Sequence, residues 1–201
     1  MGVAARAGKR GSMFEDTLCF FMNRRSIRSY TDIPVEEEKI ETILKAAMSA
    51  PSACNAQPWE LIITRDKTIL DEIRQALSSG RYNAPCAITV CANKRLCRHT
   101  NEMWVQDCSA MMQNILLCAT ALGLASVWIG VYGIPPHEPN VKKVSGIMNL
   151  PEHVLPLGIA YIGYSNEIQE PRTQYDPTRI YKEKYDFTRK HRARPKNMKH
   201  L

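Results

Sequence analysis

The chain has 201 residues, is 44% hydrophobic and 23% charged, and carries a formal net charge of +7. That length supports one sizeable core, and no apolar run approaches the roughly 20 residues needed to cross a bilayer, so a globular domain is expected and no membrane partner. The seven cysteines are odd in number and form no CxxC pair, and the five histidines show no metal spacing; this argues against a disulfide framework or a metal site and favours a reducing compartment, the cytoplasm.

Residues 1–13 are basic and rich in Gly and Ala, without an apolar signal core, and read as a flexible leader. Residues 14–23 repeat Phe14, Leu18, Phe21 and Met22 at helical spacing. That helix delivers Arg24-Arg25-Ser26-Ile27-Arg28, three guanidinium groups and a hydroxyl in five residues. Arginine offers a planar fork of donors suited to phosphate oxygens and never loses its charge.

Pro34 and the run Glu36-Glu37-Glu38 suit the positive end of a second helix, whose stripe Ile40, Ile43, Leu44 and Ala47 carries it to about Ser49. Pro51-Ser52-Ala53-Cys54-Asn55-Ala56-Gln57-Pro58 is a stiff polar loop bounded by prolines. Its amides can read the donor and acceptor edge of a heterocycle.

Residues 59–64 alternate as a strand, 67–78 form an amphipathic helix stopped by Ser79-Gly80, and 86–91 form a buried strand. A basic connection, 93–100, leads to the longest helix, 102–122, which is apolar nearly all round and must be buried on several sides. Gly123 is placed to cap it. A strand over 124–132, a helix over 136–148 and a strong strand over 155–164 follow.

Beyond residue 165 the chain is polar, with Tyr175, Ile180, Tyr181, Tyr185 and Phe187 as scattered anchors. Such a segment cannot bury itself and is expected to wrap over another surface. Much of the net charge lies in the last stretch, where Lys182, Lys184, Arg189, Lys190, Arg192, Arg194, Lys196 and Lys199 read as a solvated tail rather than a nucleic-acid contact.

Four strands amid five or six helices make a doubly wound sheet the first expectation. Against it, no Gly-x-Gly-x-x-Gly follows a strand, and no Walker-type phosphate loop occurs.

The blocks RRSIRSY, APSACNAQPW, WVQDCSAMMQNILLCATALGLASVWIGVYG, MNLPEHVLPLGIAYIGY and PRTQYDPTRI, in that order and spacing, resemble the flavin-dependent nitroreductase family over residues 14–181. The resemblance implies an α+β fold: an α-β-α sandwich with a mostly antiparallel central sheet, completed as an intertwined homodimer. It divides the chain into a leader (1–13), an FMN-binding domain (14–181) and a basic tail (182–201).

It also implies one FMN per protomer at the interface, NADH or NADPH as a transient co-substrate, and a small-molecule electron acceptor. Such an acceptor is nitroaromatic, quinone or similarly conjugated, and it is reduced in alternating steps. The flavin itself carries the redox chemistry, so no protein residue is expected to act as catalyst. On the same resemblance, Arg24 and Ser26 grip the phosphate and Arg28 lies toward the ribityl chain or pyrimidine edge. Arg25 faces solvent and adds charge.

Pro51, Ser52, Ala53 and Asn55 approach the ring from the other subunit, with Gln57 fixing their loop. Gly130 and Val131 offer a strand-end amide near the ring nitrogen, and Arg172 reaches the phosphate. A further ring contact falls near residues 79–83. Two alternatives remain on these residues: a same-fold reductive dehalogenase or flavin-destroying enzyme, and a non-enzymatic flavin-binding redox module. The short connection 92–102 argues against the lid of the former.

Overall fold

The computed structural model describes residues 13–77, 79–97, 102–133 and 137–189. The expected leader up to residue 12, the end of the basic connection, the entry to the fifth helix and the tail from residue 190 lie outside the described residues. Those described fall into two compact units, divided between Pro171 and Arg172.

The first unit contains α1 (Met13–Asn23), α2 (Glu37–Met48), β1 (Trp59–Thr64), α3 (Lys67–Ala76), β2 (Cys86–Asn93), α4 (Trp104–Ala121), β3 (Ala125–Gly130), α5 (His137–Ile147) and β4 (Val154–Gly163). The sheet order is β1-β2-β4-β3, and every neighbouring pair is antiparallel. The doubly wound expectation is therefore corrected, and the α-β-α sandwich stands. β4, last in the chain, inserts between β2 and β3, so strands joined by the long crossover through α4 never pair.

Each face of the sheet has its own core. Ile88, Val90, Ala160 and Ile162 pack with α2 and α4, while Ala87, Val127, Ile159 and Tyr161 pack with α3 and α5. Strand residues point alternately to the two faces, so β2 and β4 must be apolar throughout. α4 lies in the first core, with Met111, Met112 and Ile115 fully buried. It ends in a Schellman motif: Gly123 at φ +72° donates to Thr120 O and Leu124 to Ala119 O.

α3 stops at Ala76, before the expected residue 78, because Leu77 turns extended (φ −92°, ψ 143°) and buries its side chain in the second core. β2 runs two residues beyond its expected end, to Asn93, because Ala92 and Asn93 pair with Leu155 and Val154. Between Val90 and Cys91 the β2–β4 register shifts: Val90 faces Gly158 and Cys91 faces Pro156, leaving Leu157 as a bulge. Its carbonyl turns toward the end of β3 and accepts both the Val131 and Tyr132 amides, at 3.1 and 3.0 Å.

α1 forms where its periodicity predicts, but none of its residues is buried. In the second unit the aromatic anchors pack on each other. Tyr181 stacks on Tyr185 at 4.4 Å, Tyr185 meets Phe187 edge-on at 5.0 Å, and the Arg189 guanidinium lies 5.2 Å from the Tyr181 ring.

Candidate functional site

The segment after α1 is extended and lies alongside β3. Ser26 bridges Ser126 in parallel sense, and the Ile27 amide donates to Ser126 O at 3.0 Å. Its far end is clamped by Asn83, whose side-chain oxygen accepts the Tyr30 amide at 3.2 Å while its nitrogen donates to Tyr30 O at 2.7 Å. The buried Tyr30 hydroxyl donates to Ile27 O at 2.7 Å, and burial pushes its ionisation well above the ordinary phenol range. Two side-chain locks thus hold a segment that no regular sheet contains.

Extended backbone sends alternate side chains to opposite sides. Arg25 and Ile27 share one side, lining a cavity of about 270 Å³ with Thr120, Leu124 and Ser165. Arg25 also donates to the Glu170 carbonyl. It is half-exposed, with its guanidinium held by this carbonyl. Arg24, Ser26 and Arg28 fall on the other side, each half-exposed.

Beside Ser26 in this bridge, Ser126 is buried and its hydroxyl has no partner among the described residues. Ser126, Trp128 and Gly130 follow one another on one face of β3. At about 3.3 Å per residue, Gly130 lies roughly 13 Å along the strand from Ser126.

Gly130, partly exposed, stands opposite Gly158 in the register, and Gly158 is buried. The Trp128 indole edge lies over Gly158, where an added Cβ would come within 2.4 Å of its Nε1. Trp128 is 38% exposed, which makes it an open aromatic surface beside this backbone. The Val131 amide is already bonded to Leu157, and its side chain is fully buried. Just past the strand, Tyr132 packs edge-on against Trp104, the first residue of α4, at 4.6 Å.

The proline-bounded loop sits at this same end of α4. The Asp107 carboxylate accepts the Ala53 amide at 2.9 Å. Within the loop Ser52 Oγ accepts the Gln57 amide at 3.0 Å, and a single 3-10 turn spans Ala53–Asn55. Cys54, Asn55 and Gln57 have φ of 51°, 53° and 47°. These left-handed conformations are rare for residues with a Cβ, especially for Cys and Gln. Pro51, Cys54, Asn55 and Gln57 are exposed, and Ser52 and Ala53 half-exposed. Burial, and after it the neighbouring Asp107 carboxylate, pushes the Cys108 thiol up to about 12, which leaves it unreactive beneath the loop.

The structure therefore joins Arg24, Ser26 and Arg28 to Gly130 and Val131 along one strand, and hangs the 51–57 loop on α4. Arg172 is exposed and opens the second unit. Of the 79–83 stretch, Asn83 holds backbone. Asp107 and Gly158 escape motif reasoning, and only Asp107 leaves a signal, as the one charged residue of α4.

The family described as "Nitroreductase family" matches residues 21–81 and 80–164. An Archaeoglobus fulgidus protein with the provisional name NADH dehydrogenase/NAD(P)H nitroreductase is 42% identical over 176 residues, covering 85% of this chain and 99% of its own. The oxygen-insensitive NADPH nitroreductase of Salmonella typhimurium is 30% identical over 154 residues, covering 70% of this chain and 62% of its own. Among solved structures, an FMN-dependent nitroreductase of Clostridium difficile superposes with a TM-score of 0.77 at 33% identity, covering 84% of this chain and 99% of that one.

Proposed function

Because this chain belongs to the nitroreductase family, we propose that it is an FMN-dependent oxidoreductase of the cytoplasm. It takes hydride from NADH or NADPH and passes it, in alternating steps, to a nitroaromatic, quinone or related conjugated acceptor. The observation that carries this reading is the alignment of the arginine segment with β3. Cationic donors flank the strand near Ser126, and bare backbone with an open indole lies about 13 Å further on.

The residues present fit FMN. Arg24 and Ser26 would hold the phosphate by charge-assisted hydrogen bonds, beside the bridged strand whose Ser126 hydroxyl is buried and without a partner among the described residues. Arg28 supplies a fixed positive charge that stabilises negative charge developing on the ring. Gly130 lets the ring approach backbone, and Trp128, packed over the buried Gly158, offers a flat apolar wall that excludes water. Ser52, Ala53, Asn55 and the rest of the 51–57 loop serve the ring of a second copy. Bound FMN supplies hydride acceptance and delivery; the chain supplies grip, orientation and charge.

A homodimer belongs to this reading. Its support is α1, whose Phe14 and Leu18 are 84% and 59% exposed, an apolar face that one copy leaves uncovered. The deciding experiment is anaerobic stopped-flow of the yellow, FMN-loaded protein. NADH or NADPH should bleach the flavin, and a quinone or nitroaromatic should restore it. A protein that stays colourless in saturating FMN would end this reading.

A further inference from the structure

We infer that Asp107 is the positioning residue for the ring-facing loop, holding residues 51–57 in the one shape that presents Ser52, Ala53 and Asn55. The inference deepens the function proposed above and rests on it for the identity of the ligand, though not for the loop's mechanics.

Three left-handed residues carrying a Cβ within four positions are costly, so something outside the loop must hold it. The bonds inside it are local: Asn55 N to Ser52 O, Ala56 N to Ala53 O and Gln57 N to Ser52 Oγ. A free turn would keep these while swinging as a unit. Its exit is held at Pro58, whose carbonyl accepts the Asn93 amide at 2.7 Å, and its left-handed stretch is fastened to the body by α4. Asp107 Oδ1 accepts the Ala53 amide at 2.9 Å, and two turns later Asn114 Nδ2 donates to Ala46 O, in the last turn of α2, at 3.0 Å. Residues seven apart lie on one face of a helix. A single face of α4 therefore grips the chain both before and within the loop.

Asp107 is only 4% exposed, and its Oδ2 has no hydrogen-bond partner among the described residues. Burying a half-satisfied carboxylate is unfavourable, and a well-packed apolar residue would serve the core better. Its place in the first turn of α4 lowers that cost, because the helix dipole favours negative charge there. Among the described residues, the one bond its carboxylate makes is to Ala53. A charged acceptor makes that bond about twice as strong as a neutral one, which suits a group kept to hold a strained loop.

The test uses full-length protein and two readouts: the equilibrium Kd for FMN, and the exchange rate of the Ala53 amide in protein stripped of FMN. Asp107→Ala should speed that exchange at least tenfold and weaken FMN at least tenfold. Asp107→Asn, which keeps an acceptor oxygen, should restore both to within about threefold of wild type. Ala53→Pro removes the donor instead and leaves α4 intact; it should weaken FMN as Asp107→Ala does, and it carries the test alone if Asp107→Ala fails to fold. A lower melting temperature with unchanged Kd and an unchanged amide would overturn the inference, leaving Asp107 a core residue. If wild type itself binds no FMN, the proposed function fails, while amide exchange still decides whether Asp107 holds the loop.

Discussion

The amide of Ile27 donates to the carbonyl of Ser126 at 3.0 Å across nearly half the chain. Through this bond the arginine segment runs beside the strand that ends at Gly130, and side-chain alternation separates Arg24, Ser26 and Arg28 from Arg25.

That separation predicts unequal losses. Arg24→Ala should weaken FMN by about 1.5–3 kcal/mol, the worth of a hydrogen bond to a charged group, or roughly 10- to 150-fold in Kd. Ser26→Ala should cost less, since no charge is lost. Arg25→Ala removes a bond to Glu170 O and should change Kd by under about threefold. Equilibrium dialysis against FMN measures all three, and an Arg25 variant as weak as the Arg24 variant would contradict the assigned sides.

Gly158→Ala tests the close approach of Trp128. The new methyl would sit 2.4 Å from Trp128 Nε1 and 2.8 Å from Ile129 O. The half-exposed indole can swing aside, whereas the Ile129 carbonyl belongs to the neighbouring strand and cannot. Destabilisation of about 1–3 kcal/mol is expected, read as a lower midpoint in urea. An unchanged midpoint would mean that β3 and β4 are not held this tightly.

The apolar face of α1 predicts self-association. Phe14, 84% exposed, stands to gain about 1.5–3 kcal/mol if fully covered, and Phe21, 52% exposed, about half as much. Wild type should therefore run at twice its chain mass in light scattering, and Phe14→Asp with Leu18→Asp should shift it toward the monomer. A wild-type monomer that nonetheless retains FMN would refute a shared site.

Burial of thiols and phenols predicts alkaline instability. Desolvation pushes Cys91 and Cys108 from 9.0 up to about 12, and Tyr161 from 10.0 to about 12. Because the folded values are raised, the unfolded chain loses these protons first. Their contribution is whole below about 9 and falls away as pH climbs toward 12. Urea midpoints should drop steadily as pH rises from about 9 toward 12, and less so in Cys91→Ala/Cys108→Ala. Among the described cysteines, exposed Cys19 and Cys54 should react first with a thiol reagent in the native state.

Much of this protein is local and therefore written in the order of its residues. Apolar spacing placed α1–α5 and β1–β4 to within a few positions, because a 3.6- or 2-residue period is a property of neighbours. The five family blocks announced the antiparallel sandwich that periodicity, left to itself, would have wound as a parallel sheet. Tertiary structure decided the rest, because it depends on which distant groups meet. β4 lies between β2 and β3, and Leu157 bulges to bind Val131. Arg25 turns to Glu170, and Asp107 takes the amide of Ala53. The left-handed turns at Cys54, Asn55 and Gln57 belong to the same class. No glycine marks them, since that conformation is imposed by what the loop is fastened to rather than chosen by the residues that adopt it.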